Sequence, residues 1–137
     1  MLVVIFNQYN QVLVLQRDDD ANFWQSVTGS MEQDEVPVST ALREVKEETG
    51  IDIKAARHSL MDCRQTNQYT IREDWRHRYA PGITLNFEYV FCVQVASDSK
   101  ITLTEHLSYL WLDKSAAIAK VWSNTNKQAI EAFVPSS

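Results

Sequence analysis

Three carboxylates close together in the chain, Glu44, Glu47 and Glu48, carry the chemistry it could perform. At about 100° per residue they share one face of a helix. Like charges three and four apart repel by about 0.2–0.5 kcal/mol per pair in an isolated helix. A hard divalent cation, Mg²⁺ or Mn²⁺, relieves that repulsion because such ions prefer oxygen ligands. Taken alone, E-x-x-E-E more often marks a solvated acidic face. Two further residues are placed to hold such carboxylates. Arg43 lies one turn from Glu47 and can hold carboxylates through a forked hydrogen bond. Glu35, just ahead of the helix, sits near the positive end of its dipole and can accept from Arg43 or from free N–H groups.

The helix that must present these groups runs from Pro37 to Gly50. Proline suits a first helical turn, where its missing N–H is no loss. Glycine suits the left-handed residue that ends a helix. Between them Val38, Ala41, Leu42 and Val45 form an apolar stripe beside the carboxylates, so the acidic face borders a core.

The flanking residues extend the pattern. Gly29, Glu35, Arg43, Glu44, Val45, Glu47, Glu48, Gly50 and Ile51 satisfy G-x5-E-x7-R-E-U-x-E-E-x-G-U, with U a bulky aliphatic residue, at every fixed position. On this motif the chain resembles the Nudix hydrolases, which split a nucleoside diphosphate linked to another group. The resemblance implies an α/β (α+β) fold, a Nudix-type α/β/α sandwich with a mixed sheet, formed by residues 1–137 as a single domain. Many members have glycine where this chain has Asp34; aspartate tolerates the left-handed conformation better than most residues.

Composition agrees with one domain and a real core: 137 residues, 45% hydrophobic, with only three Gly and three Pro. A formal charge of −5 argues against nucleic-acid binding through a broad basic surface. Polyphosphate must then be handled by a metal and a few local cations. Cys63 and Cys92 suggest neither a disulfide framework nor a zinc site, and their expected state is reduced, in the cytoplasm. The apolar run Leu2–Phe6 is too short for a signal or membrane segment, so no membrane partner is expected. It also opens without a polar lead-in, so an upstream lead-in is expected. A monomer or weak homo-oligomer is the expected assembly.

Hydrophobic patterning places the remaining elements. Leu2–Phe6 and Val12–Leu15 read as paired strands around a polar turn at Asn7–Gln11, and Phe23–Thr28 as a short strand feeding Gly29. Trp24 is expected in the core. Ile51–Ile53 and Ser59–Arg64 read as strand segments, and Gln65–Trp75 as irregular with a short strand at Tyr69–Arg72. Thr84–Val95 is the longest strand, with Leu85, Phe87, Tyr89, Phe91, Val93 and Val95 alternating with Asn86, Glu88, Val90, Cys92 and Gln94. Ser97–Lys100 is a turn and Thr104–Leu112 a further strand. Ser115–Trp122 and Lys127–Val134 read as helices broken by Ser123–Asn126. Trp75–Gly82 (WRHRYAPG) concentrates Arg76, His77 and Arg78 between aromatics, which suits an anionic ligand bearing a flat ring.

Blocks outside the motif, Phe23–Ser30, Met61–Cys63, Arg76–Gly82, Thr104–Leu112, Trp122–Asn124 and Gln128–Val134, resemble a bacterial branch of the family. That branch removes pyrophosphate from 7,8-dihydroneopterin triphosphate during folate biosynthesis. The resemblance implies a small-molecule triphosphate substrate and a Mg²⁺ (or Mn²⁺) cofactor held by Glu44, Glu48 and Glu105. Arg17, Thr28, Tyr69, Thr70, Ile71, Arg72 and Arg78 are the implied or candidate substrate contacts. It also places a basic substrate contact upstream of Met1 and puts the spacing around Trp122 out of step. Glu47 is the preferred general base, with Glu48 as the alternative and Arg43 as the anchor of the set. His58, His77 and His106 are scattered, and none has an evident nucleophile. The competing readings are a broad (d)NTP pyrophosphatase and a Nudix domain that senses a nucleotide without hydrolysing it.

Overall fold

The computed structural model describes residues 1–70 and 85–136. Strands β1 (Leu2–Phe6), β2 (Gln11–Arg17), β3 (Trp24–Gln25) and β4 (Val27–Thr28) precede helix α1 (Pro37–Thr49). Strands β5 (Leu60–Thr70), β6 (Leu85–Gln94) and β7 (His106–Asp113) follow, then helices α2 (Lys114–Lys120) and α3 (Asn124–Phe133). One mixed sheet runs β3-β2-β1-β6-β5, with β4 also on β1 and β7 on β2. Strands β1 and β6 are parallel, from Leu2 opposite Val90 to Phe6 opposite Gln94, and the other named strand pairs are antiparallel.

Strand β1 is apolar at every position because both of its faces are covered. Met1, Val3 and Ile5 pack with Leu13, Leu15, Phe91 and Val93 against Ala41 and Val45 of α1. Leu2, Val4 and Phe6 pack on the other face with Val12, Val14, Val90 and Cys92 against Ala117, Ala129 and Ile130 of α2 and α3. The period of two along three central strands thus builds two cores, and the result is the expected helix–sheet–helix sandwich. Trp24 packs against the second core, as expected.

Five expectations need correction. Phe23–Thr28 is not one strand but two, split at Ser26, with β3 on β2 and β4 on β1. Ile51–Ile53 is not a strand: both isoleucines are buried in the first core from a turn, so apolar character there reports burial and not pairing. The stretch read as irregular after Gln65 continues β5 as far as Thr70, because its polar residues pair with β6 from Gln65 opposite Val90 to Thr70 opposite Leu85. In β6 the expected phase fails near its start, with Glu88 buried and Tyr89 exposed. The break between the last helices is shorter than read: Ser123 caps α3, its side chain accepting from the Asn126 N–H, so Asn124–Asn126 form its first turn.

Two connections fix α1 over the sheet. Gly50 ends the helix at φ 79°, and its N–H donates to the Lys46 carbonyl. The segment before β7 then docks on that end. The Thr102 N–H donates to the Thr49 carbonyl at 2.7 Å, and the Thr104 hydroxyl donates to the Glu47 carbonyl at 2.6 Å.

Candidate active site

Arg43 organises the acidic end of the molecule. Its Nε and Nη2 donate to the two oxygens of Glu35 at 2.8 and 2.9 Å, and Nη2 also reaches the Ser30 carbonyl at 3.0 Å. Nη1 donates to Glu44 at 2.6 Å and to Glu47 at 3.2 Å. The fork holds Glu35 well below the usual carboxylate range, at about 2, with the Thr40 hydroxyl and the Glu32 N–H adding to the effect. Asp34 adopts φ 64°, the left-handed conformation expected of it, and so turns the chain for Glu35 to face Arg43.

The charge of Arg43 is spent on Glu35, Glu44 and Glu47. Glu48 is left inside. Its side chain is only 2% exposed. Among the described residues neither of its oxygens has a hydrogen-bond partner in bonding geometry. Burial, then the neighbouring Glu44 carboxyl and the charge of Glu105, push Glu48 up to about 10, while the Thr28 backbone pulls the other way. Glu44 lies against Gly29, where any Cβ would collide with its carboxyl group. This is the physical need for the glycine that opens the motif.

The sheet supplies the opposite wall. Arg17, at the end of β2, donates to Asp19 at 2.7 and 2.5 Å and to Gln25 Oε1 at 2.9 Å. Gln25 in turn donates to the Thr28 hydroxyl at 3.1 Å and accepts from Trp122 Nε1 at 3.4 Å. The structure therefore joins Arg17 and Thr28, separate in sequence, through a buried glutamine that sequence reasoning passed over. A polar residue in a two-residue strand gave no signal of that role. Phe23 stacks on Trp122 beside this chain of bonds, with centroids 5.4 Å apart.

His106 has no evident nucleophile near it in the sequence. It stands opposite Arg17 in the sheet, with Nε2 3.8 Å from Glu48 Oε1. Burial, then the charge of Arg17, lower its pKa, so the imidazole is neutral near pH 7. Glu105 precedes it, exposed, on the segment clasped to α1 through Thr104. Tyr69 and Thr70 close β5 opposite Asn86 and Leu85. Ile71, Arg72 and Arg78 lie outside the described residues, as do Arg76 and His77.

Glu44, Glu48 and Glu105 offer the hard oxygen donors a divalent cation needs, and the unsatisfied Glu48 oxygens fit such a partner. As they stand, the described His, Cys, Asp and Glu side chains include no group of three drawn together closely enough to hold one. The acidic end thus collects oxygen donors, and the Arg17 guanidinium stands on the wall facing it. No helix among the described residues is long and apolar enough to cross a membrane.

Comparison with known proteins covers nearly the whole chain. The model of the NUDIX domain matches residues 1–133. The chain is 51% identical, over 98% of its length and 90% of the relative's, to dihydroneopterin triphosphate diphosphatase of Escherichia coli (strain K12). It is 40% identical, over 98% of its length and 85% of the relative's, to the Haemophilus influenzae enzyme of the same name. The solved structure of the E. coli dihydroneopterin triphosphate pyrophosphohydrolase superposes with a TM-score of 0.94, covering 97% of this chain and 92% of that one. A match this long, through both cores and the carboxylate helix, leaves one conclusion: the chain belongs to the Nudix family.

Proposed function

We propose that the chain is a Nudix pyrophosphohydrolase that converts dihydroneopterin triphosphate to dihydroneopterin monophosphate and pyrophosphate. The observation that carries this reading is the 51% identity to the E. coli diphosphatase over 98% of the chain, a span far longer than the motif. The family's usual need for a divalent metal fits Glu44, Glu48 and Glu105 as the holders of Mg²⁺ or Mn²⁺. A cation bound there supplies charge neutralisation at the phosphate oxygens and a water of lowered pKa.

The chain's own residues supply the rest. Arg17, already aimed by Asp19 and Gln25, presents a guanidinium to a phosphate, and Thr28 offers its hydroxyl beside it. Glu47, about half exposed and steadied by Arg43, takes the proton from the attacking water. Arg43 holds the three carboxylates of its fork in register and so acts by positioning. Tyr69, Thr70, Ile71, Arg72 and Arg78 are substrate contacts in this reading, and residues 1–137 act as one domain.

A hydrolysis panel with Mg²⁺ tests the assignment, comparing dihydroneopterin triphosphate with the four dNTPs and resolving pyrophosphate from phosphate. The pterin should give pyrophosphate with the highest kcat/KM, by about tenfold or more, which corresponds to about 1.4 kcal/mol of differential transition-state binding. A dNTP that beats the pterin would leave only the family chemistry standing.

A further inference from the structure

The β2–β7 ladder is regular from Gln11 opposite Asp113 to Gln16 opposite Ser108, and then slips. A regular register would set Leu107 opposite Arg17. Instead His106 stands there. The extra residue is Leu107, which is 55% exposed. A bulge of this kind re-aims the side chain beside it. Residues Leu13 and Leu15, on the same face of β2 as Arg17, belong to the core under α1. The slip therefore turns His106 from the face of α2 and α3 to the face of α1, where Glu48 lies.

The consequence is a buried imidazole against a buried carboxyl, with side chains 6% and 2% exposed. Among the described residues neither Glu48 oxygen nor His106 Nδ1 has another hydrogen-bond partner. Leaving two such groups unsatisfied is costly, and an apolar residue at position 106 would avoid the cost. The 3.8 Å between Nε2 and Oε1 is longer than a hydrogen bond and must shorten for one to form.

We propose that His106 is the positioning residue for Glu48: its Nε2–H donates to one carboxyl oxygen and leaves the other directed at the cation. The inference rests on Glu48 being a metal ligand, as proposed above. The role parallels the outer-shell partners that orient ligating carboxylates in metal sites generally. It also gives the bulge a purpose, since a regular β7 would direct the imidazole away from α1.

Mn²⁺ binding to the metal-free protein, followed through the electron paramagnetic resonance signal of free Mn²⁺, tests the proposal without turnover. His106→Leu removes the donor and keeps apolar bulk; His106→Gln returns an amide N–H close to the Nε2 position. The leucine variant should bind Mn²⁺ about 10–100-fold more weakly, and the glutamine variant should recover most of that loss. In the assay the half-saturating Mg²⁺ concentration should rise in parallel, with KM at saturating metal little changed. The melting temperature of the metal-free leucine variant should not fall, which separates positioning from packing. Mn²⁺ affinity within twofold of the parent in His106→Leu, or equal weakness in both variants, would overturn the role of His106 alone. Should His106→Leu not fold, His106→Asn replaces it, its donor falling nearer Nδ1, and equal affinities for Asn and Gln overturn the proposal. A parent that binds no Mn²⁺ would overturn the metal reading and this inference with it.

Discussion

Glu48 concentrates the conflict in this molecule: it is charged by type, buried by position and left out of the Arg43 fork. In the metal-free protein its pKa is raised from about 4.5 to about 10 by burial and by Glu44. Between those values the folded state binds more protons than the unfolded state, so stability falls as pH rises through the window. Glu48→Gln removes that slope. Denaturation in a chelator from pH 5 to 9 should therefore show a declining parent and a flatter variant, with the variant more stable at the alkaline end. Saturating Mg²⁺ should stabilise the parent and not the variant. Activity of Glu48→Gln should drop by more than the ~10–100-fold that loss of an outer-shell partner costs. Parallel pH profiles, or full activity in the variant, would remove Glu48 from the metal site.

The motif built around helix α1 opens on Gly29 and closes near Gly50, and the needs of these two glycines differ. At Gly50 the backbone lies at φ 79°, and a Cβ would stand 3.1 Å from the Thr102 side chain. Gly50→Ala should destabilise the fold by about 1–2 kcal/mol, the cost of a left-handed L-residue, and leave activity per folded molecule intact. At Gly29 the obstacle is the end of a flexible side chain, the Glu44 carboxyl, which can swing aside. Gly29→Ala should accordingly change stability by no more than about 0.5 kcal/mol. Its kcat should fall about 10–100-fold, because the carboxylate proposed as a metal ligand is displaced. Melting curves and initial rates on the two variants decide the matter. A stable but inactive Gly50→Ala, or an unstable but active Gly29→Ala, would invert the assignment of structural and chemical roles.

Across the whole molecule, the sheet has to hold the Arg17 wall against α1 from one side while α2 and α3 brace it from the other. Asn126 of α3 makes that brace specific. Its side chain accepts from the Ser26 N–H and donates to the Ser26 hydroxyl, both at 2.9 Å, in the interval between β3 and β4. Asn126→Ala leaves a buried N–H without a partner and should cost about 1–3 kcal/mol. At about 4 °C per kcal/mol for a chain of this size, the melting temperature should fall by about 4–12 °C. Gln25 and Thr28 flank Ser26, so KM should rise as well. A variant that melts with the parent would mean that water satisfies Ser26 and that the brace is dispensable.

The carboxylate helix, the glycine that ends it, the Arg43–Glu35 pairing and the left-handed Asp34 were all legible in the sequence. Each depends on neighbours within one or two turns or on a residue's own backbone preference, and local physics of that kind survives without a fold. The strand character of Leu2–Phe6 was legible from its apolar run. What only the tertiary structure decided involves distant partners or a change of phase. Gln25 joins Arg17 to Thr28, Thr102 and Thr104 bring Glu105 to the end of α1, and Arg43 leaves Glu48 alone uncompensated. The clearest case is His106: alternation along β7 assigns it to the wrong face, and a single slipped residue reverses that. A bulge depends on how two strands meet, and no pattern within one of them records it.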